Sequence, residues 1–228
     1  MRVSLGLSCT FIFFILGYLG FWLSDPTNLP VSNVKCIAAR QYVNQDDLQK
    51  VLLRESQTGF VRLKVSAIQQ QLLLLPWIKQ VDVRKVWPNQ LVIQFDEYIP
   101  AALWNDKGVI SDSGVLFFPD RGVLRSRHLP VLEGPEGKSQ QVWQHFLGMQ
   151  AILTPVSLSI TNLNLAPRGA WNLKLSNGIT LILGTDNTLL RLQHFVRVYE
   201  KSLYLRQSNV AYVDLRYTNG MAIGWRPG

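Results

Sequence analysis

Apolar and polar residues follow three successive rhythms along this chain. The first is an unbroken apolar run. From Val3 to Leu23 no side chain is charged, Arg2 precedes the run, and Asp25 and Pro26 follow it. A helix of that length extends about 30 Å, the thickness of a bilayer's hydrocarbon core, so the run predicts a transmembrane helix. Arg2 flanks it on one side and no basic residue follows until Lys35. Basic residues beside a span are retained in the cytoplasm, which predicts a two-residue cytoplasmic tail, residues 1–2, and an extracytoplasmic remainder. A cleaved signal peptide would need small residues at a cut site, whereas this run ends in Gly20-Phe21-Trp22-Leu23. Cys9, near the start of the run, reads as a small apolar residue rather than a lipidation site.

After a Pro-containing linker over residues 24–30, the second rhythm alternates between helix and strand periods. Val31 to Ala39 predicts a strand. Asn44 is placed to cap a helix running to Arg54, Asp46 and Asp47 suit its positive end, and Val43 can pack on Leu48. Beyond Gly59, Ser66 and Gln69 offer a capping box, Ile68, Leu72 and Leu75 share one helical face, and Pro76 stops the run. Ile78 to Trp87 sets Val81 and Val83 against Asp82 and Arg84. After a turn at Trp87-Pro88-Asn89-Gln90, Leu91, Ile93 and Phe95 alternate with Val92, Gln94 and Asp96. Two helices laid on one face of a three-stranded sheet would close a small domain over residues 31–99.

The third rhythm, over residues 100–228, is dominated by short strands. Ala101 to Trp104, Gly108 to Ile110 and Val115 to Phe118 are separated by turn residues, and Gly134-Pro135-Glu136-Gly137 makes a rigid bend. Val142, Phe146, Met149 and Leu153 recur at helical spacing. Strands are predicted at Leu158 to Leu165, Trp171 to Leu175 and Ile179 to Leu183. A long helix follows, with Leu189, Leu192, Val196, Tyr199 and Leu203 as its buried stripe. The final hairpin pairs Ala211–Tyr217 with Met221–Trp225. A two-residue Asn219-Gly220 loop would mix charged and apolar side chains on one face. A three-residue Thr218-Asn219-Gly220 loop instead aligns Val213, Leu215 and Tyr217 with Trp225, Ile223 and Met221, and this register is the expected one. The last strand then shows only Ala222 and Gly224 on its other face and is expected to be a sheet edge, open to pairing with another chain. The fold class is therefore α+β: a transmembrane helix, a β-α-α-β-β domain, and a β domain with a sheet flanked by helices.

Composition narrows the chemistry. The chain carries 23 Lys and Arg against 15 Asp and Glu. The basic residues never gather into a run, which disfavours nucleic acid and leaves anionic surfaces and acidic partners. Cys36 is the one thiol beyond the apolar run, so no intrachain disulfide can brace the part beyond it. His128, His145 and His194 are isolated from other ligand types, and neither a nucleophile elbow nor a glycine-rich phosphate loop occurs. Asp96 and Glu97 alternate faces at a strand end, so they make a poor acid/base pair. No enzyme and no cofactor is expected. The competing reading is a membrane-anchored envelope enzyme or peptidoglycan-binding module, suggested by the basic composition and the seven tryptophans.

Several segments, in order, resemble the bacterial FtsQ/DivIB division family and its POTRA domain. They are Pro76-Trp77-Ile78-Lys79-Gln80-Val81, Val83-Arg84-Lys85, Trp87-Pro88, Glu97-Tyr98, Trp104-Asn105-Asp106, Gly134-Pro135-Glu136-Gly137, and above all Tyr212-Val213-Asp214-Leu215-Arg216-Tyr217 with Gly220 and Gly224-Trp225. The resemblance implies a bitopic inner-membrane scaffold with a periplasmic POTRA domain, recruited to the septum and without catalysis. It implies binding of FtsB, with FtsL alongside, by β-strand addition at the last strand. Carried over by motif, Arg216, Tyr217, Asn219, Gly220, Gly224 and Trp225 would form the docking edge, with Arg168 as a further basic contact. On periodicity alone Tyr217 and Trp225 read as core aromatics; the resemblance turns them toward a partner. Asp214 keeps the reading of an ordinary solvent-facing strand residue.

Overall fold

The computed structural model describes residues 15, 17, 18, 22, 31–37, 41–56, 59–124, 128–217 and 220–226. The apolar run Val3–Leu23 therefore lies outside the described residues except at Ile15, Gly17, Tyr18 and Trp22. Ile15, Gly17, Tyr18 and Trp22 are helical. Among the described residues no helix is long and apolar enough to cross a membrane. The chain divides into two compact units, residues 1–98 and 99–228.

In the first unit the described elements run β1 (Asn33–Ile37), α1 (Gln45–Ser56), α2 (Val65–Leu73), β2 (Ile78–Val86) and β3 (Gln90–Glu97). The sheet order is β1-β3-β2, with β1 parallel and β2 antiparallel to the central β3. Leu91, Ile93 and Phe95 of β3 are buried with Val83, Leu48, Ile68 and Leu72, so the period-two pattern predicted for β3 meets the helical faces as expected. Val43 packs on the same cluster as Leu48. Asn44 caps α1 through Oδ1, which accepts the Asp46 N–H at 3.0 Å. The expected capping box at Ser66 and Gln69 does not form: the N-cap of α2 falls two residues earlier, at Lys64, and no side chain caps it.

Glu97 has a structural duty that its pairing with Asp96 in sequence concealed. Its carboxylate accepts the backbone N–H groups of Gln41, Tyr42 and Val43 at 2.9, 3.0 and 2.9 Å. Three amides that would otherwise need water are thereby tied to the end of β3. Trp77 stacks on Tyr42 beside them, with ring centroids 4.6 Å apart.

The second unit builds a nine-stranded sheet from β4 (Pro100–Trp104), β5 (Gly108–Ser111), β6 (Leu116–Phe117), β7 (Val131–Glu133), β8 (Ile160–Leu165), β9 (Trp171–Leu175), β10 (Thr180–Gly184), β11 (Val210–Asp214) and β12 (Ala222–Trp225). The order is β12-β11-β10-β9-β8-β7-β4-β5-β6. Two of its joints, β7 with β8 and β10 with β11, are parallel pairs of consecutive strands. Such strands need a crossover, and each crossover here carries a helix: α3 (Ser139–Leu153) and α4 (Thr188–Val198). α3 buries Val142, Trp143, Phe146, Met149 and Leu153 on the sheet.

Two predicted features change. Leu189 is exposed, and Phe195 takes its place in the buried stripe with Leu192, Tyr199 and Leu203. Beyond Val198 the helix widens into a π turn, Tyr199–Leu203, and then tightens into a 3-10 turn, Tyr204–Asn209. The widened turn lets Tyr199 reach Gln207 and Asn177 through its hydroxyl, donating to Gln207 Oε1 at 2.7 Å. Strand β7, unpredicted because three residues carry too little alternation, is the parallel link between β4 and β8.

Candidate interaction edge

Strand β12 ends the sheet order and, among the described residues, pairs only with β11. Its register differs by two residues from the expected one: Tyr212 faces Gly224, Val213 faces Ile223 and Asp214 faces Ala222. The cause lies at the end of β11. Leu215 gives its N–H to Ile182 O of β10 at 2.9 Å, and Arg216 turns its N–H back to Asp214 Oδ1 at 3.1 Å. The strand therefore stops before Arg216 and Tyr217, and the connection to β12 is longer than three residues. A shift of two keeps each residue on its expected face, so the edge survives the correction.

The backbone of β12 shows which groups are available. Arg226 donates its N–H inward to Asn209 O at 2.7 Å. In an antiparallel ladder successive residues point their N–H and C=O groups to opposite sides, so Ile223 and Trp225 aim theirs at the open side. Ile223 rests its side chain against the core. Trp225 is 51 % exposed and Tyr217 59 % exposed. Neither is a core aromatic.

Asp214 departs from the ordinary reading given to it. It is 6 % exposed and holds Arg216 side-on, with Nε 2.9 Å from Oδ1 and Nη2 2.7 Å from Oδ2. The Arg216 hydrogen bonds hold the carboxyl below the usual aspartate value against the opposing effect of burial, and the charge of Arg191 adds to them. Arg191 donates to Leu183 O, and both guanidinium chains cross Gly184, whose φ is +77°. A Cβ at Gly184 would meet Arg191 Nη1 at 2.8 Å and Arg216 Cγ at 3.1 Å, so the arginines lie on bare backbone there. The only sequence sign of this cluster was the Asp-x-Arg spacing at 214 and 216.

Beside the cluster a groove of about 250 Å³ is lined by Asn187, Leu190, Arg191 and His194 on one side and Leu215, Tyr217 and Gly220 on the other. The structure thus places Arg216 and Tyr217 at the start of the β11–β12 connection and Gly220 at its end, with Tyr217 and Gly220 on the same groove wall, and sets Gly224 and Trp225 on the edge strand. Asn219 lies outside the described residues. Arg168 is exposed in the turn between β8 and β9, at the same end of the sheet as Arg216. Three strand spacings separate β9 from β12, about 15 Å. Among the described residues no group of three His, Cys, Asp or Glu could hold a metal ion.

The place of Tyr212 carries no sign in the sequence. In the expected register it lay beyond the pairing; in the structure its ring rests on Gly224.

Comparison with known proteins brings the two units under two family profiles. One, described as POTRA domain, FtsQ-type, matches residues 29–98, and the other, described as Cell division protein FtsQ/DivIB, C-terminal, matches residues 102–216. Curated relatives extend over most of the chain. Cell division protein FtsQ of Escherichia coli is 36 % identical over 211 residues, 90 % of this chain and 76 % of the relative. The protein of the same name from Coxiella burnetii is 34 % identical over 204 residues, 90 % of this chain and 84 % of the relative. That from Haemophilus influenzae is 33 % identical over 217 residues, 93 % and 85 % of the two chains.

Proposed function

Because this chain belongs to the FtsQ/DivIB family of cell division proteins, we propose that it is a division scaffold that works by association alone. In this reading Val3–Leu23 anchors it in the inner membrane with its amino terminus in the cytoplasm. The POTRA and β domains stand in the periplasm at the septum. FtsB adds a strand to β12, with FtsL alongside, and the assembly links early to late division proteins.

The observation that carries the reading is the open side of β12. Its outward N–H and C=O groups at Ile223 and Trp225 are the template that strand addition requires. Exposed aromatic side chains at Tyr217 and Trp225 supply anchoring area at the two ends of the strand. Arg216, held by Asp214 and more than half exposed, offers a fixed positive charge to an acidic partner residue. Arg168, at the same end of the sheet, would extend that field.

The test is co-purification with FtsB from membranes. Tyr217→Ala and Trp225→Ala are expected to abolish it while the protein stays folded and inserted. Undiminished recovery of FtsB with both variants would refute the edge assignment.

A further inference from the structure

The outermost pair of the sheet places a large ring where the edge strand has no side chain. Tyr212 of β11 faces Gly224 of β12. A Cβ built on Gly224 would overlap the Tyr212 ring at Cε1, Cδ1 and Cζ. The ring therefore lies across the backbone of β12 in the volume that a side chain at position 224 would fill. The contact runs from Cδ1 through Cε1 to Cζ, so the phenolic half of the ring overlies the β12 backbone at Gly224. Tyr212 is 45 % exposed.

Resting on the strand-addition reading, we propose that Tyr212 is a specificity-determining residue of the edge: its ring is the seat for one side chain of the incoming strand, the one opposite Gly224. Gly224 points its N–H and C=O inward, as Arg226 does two residues later. An antiparallel strand added outside β12 meets Gly224 at a non-hydrogen-bonded position, where opposing Cα atoms close to about 4.5 Å. With no Cβ on Gly224, the incoming side chain meets the rim of Tyr212 instead. The chemistry of that seat is an aromatic rim, which suits a large side chain with an apolar body. Glycine paired with a ring is thus a recognition device: the glycine leaves the space and the neighbouring strand lends the side chain.

The experiment is a double-mutant cycle between the full chain in lipid nanodiscs and the purified periplasmic segment of the FtsB from the same cell. Tyr212→Phe is expected to bind within about twofold of the unmodified chain, and Tyr212→Ala to lose tenfold or more. Alanine substitutions along the FtsB strand should couple to Tyr212→Ala at one position and be additive at its neighbours. Equal binding by Tyr212→Ala, or additivity at every FtsB position, overturns the assignment, and the second outcome does so even where Tyr212→Ala has loosened the hairpin. Ile223→Pro serves as the control on the underlying reading. If Ile223→Pro binds normally, strand addition itself fails; if it does not bind while Tyr212→Ala does, only the seat fails.

Discussion

The two ends of the nine-stranded sheet are opposite solutions to one problem. A terminal strand exposes unpaired N–H and C=O groups, which invite another chain. At one end β6 is only two residues long and runs into a 3-10 turn, Arg121–Leu124. Arg121 then folds back over the meander, donating to the carbonyls of Trp104, Asn105, Asp106 and Gly108. Little edge remains to be paired. At the other end β12 is four residues long, carries Ala222 and Gly224 on its outer face, and is flanked by exposed aromatics. The chain therefore can blunt an edge and does so at β6. Leaving β12 open is a property of that end, not of the sheet.

The sharpest way to break this comparison is to close β12 while matching the packing lost at Ile223 in a second variant. Ile223→Ala and Ile223→Pro lose the same apolar contact, but only proline removes the outward N–H. Ile223→Pro is expected to weaken FtsB binding at least 100-fold, about 3 kcal/mol, relative to Ile223→Ala, as measured by titration of the two proteins. Equal affinities would mean that the open backbone is not the contact.

The reverse experiment loosens the guarded end. Arg121→Ala leaves four carbonyls without their cationic donor. Hydrogen bonds to a charged group contribute about 1.5–3 kcal/mol, so chemical denaturation should show a loss of about 2–3 kcal/mol. FtsB affinity should not change. A matching loss of affinity would tie the two ends together and remove the contrast.

What could be read from the sequence divides along the same line. Elements whose pattern repeats, such as β3 with Leu91, Ile93 and Phe95 or α3 with Val142, Phe146, Met149 and Leu153, are legible because one buried face imposes one period. The edge position of β12 was legible too. Its register was not, because the choice rested on loop length and on which residues share a face, and a shift of two residues leaves every face unchanged. The deciding contact is the return of the Arg216 N–H to Asp214, a side-chain effect that ends β11 early. The same shift hid Tyr212: the expected register set Gly224 against Asp214, and the true one sets it against a ring. Strand β7 escaped because its reason for existing is parallel pairing with β4 and β8, which leaves no mark in three residues.

A third experiment acts within the open edge. Gly224→Ala drives a methyl group into the Tyr212 ring. Overpacking of this kind costs about 1–3 kcal/mol, and near the lower end where the ring can swing outward. FtsB affinity should fall about tenfold. In a Tyr212→Ala background the added methyl meets no ring, so Gly224→Ala should then cost little further. If the two substitutions prove additive, the ring does not rest on Gly224 in solution.

The smallest expected effect concerns the charge that the open edge displays to solvent at Arg216. Asp214 fixes Arg216 through its carboxylate, and those hydrogen bonds, opposed by burial, leave its pKa below the ordinary aspartate value of 3.8. A carboxyl depressed by folding contributes stability that is fully present above its unfolded value and is lost as pH falls through its folded value. The pair should therefore be intact from neutral pH down to about 4, and the acid limb of FtsB binding due to Asp214 should appear only below 3.8. Asp214→Asn removes the charge at every pH while keeping the shape, so Arg216 is less firmly held. A binding loss of up to about fivefold at pH 7 is expected, since one partner of the pair is solvent-exposed. The decisive comparison is the pH profile: the two proteins should differ at pH 7 and converge as the wild-type carboxyl protonates. A difference that persists unchanged at the lowest pH at which both remain folded would assign the effect of Asp214→Asn to packing, and Arg216 would no longer count as a positioned charge.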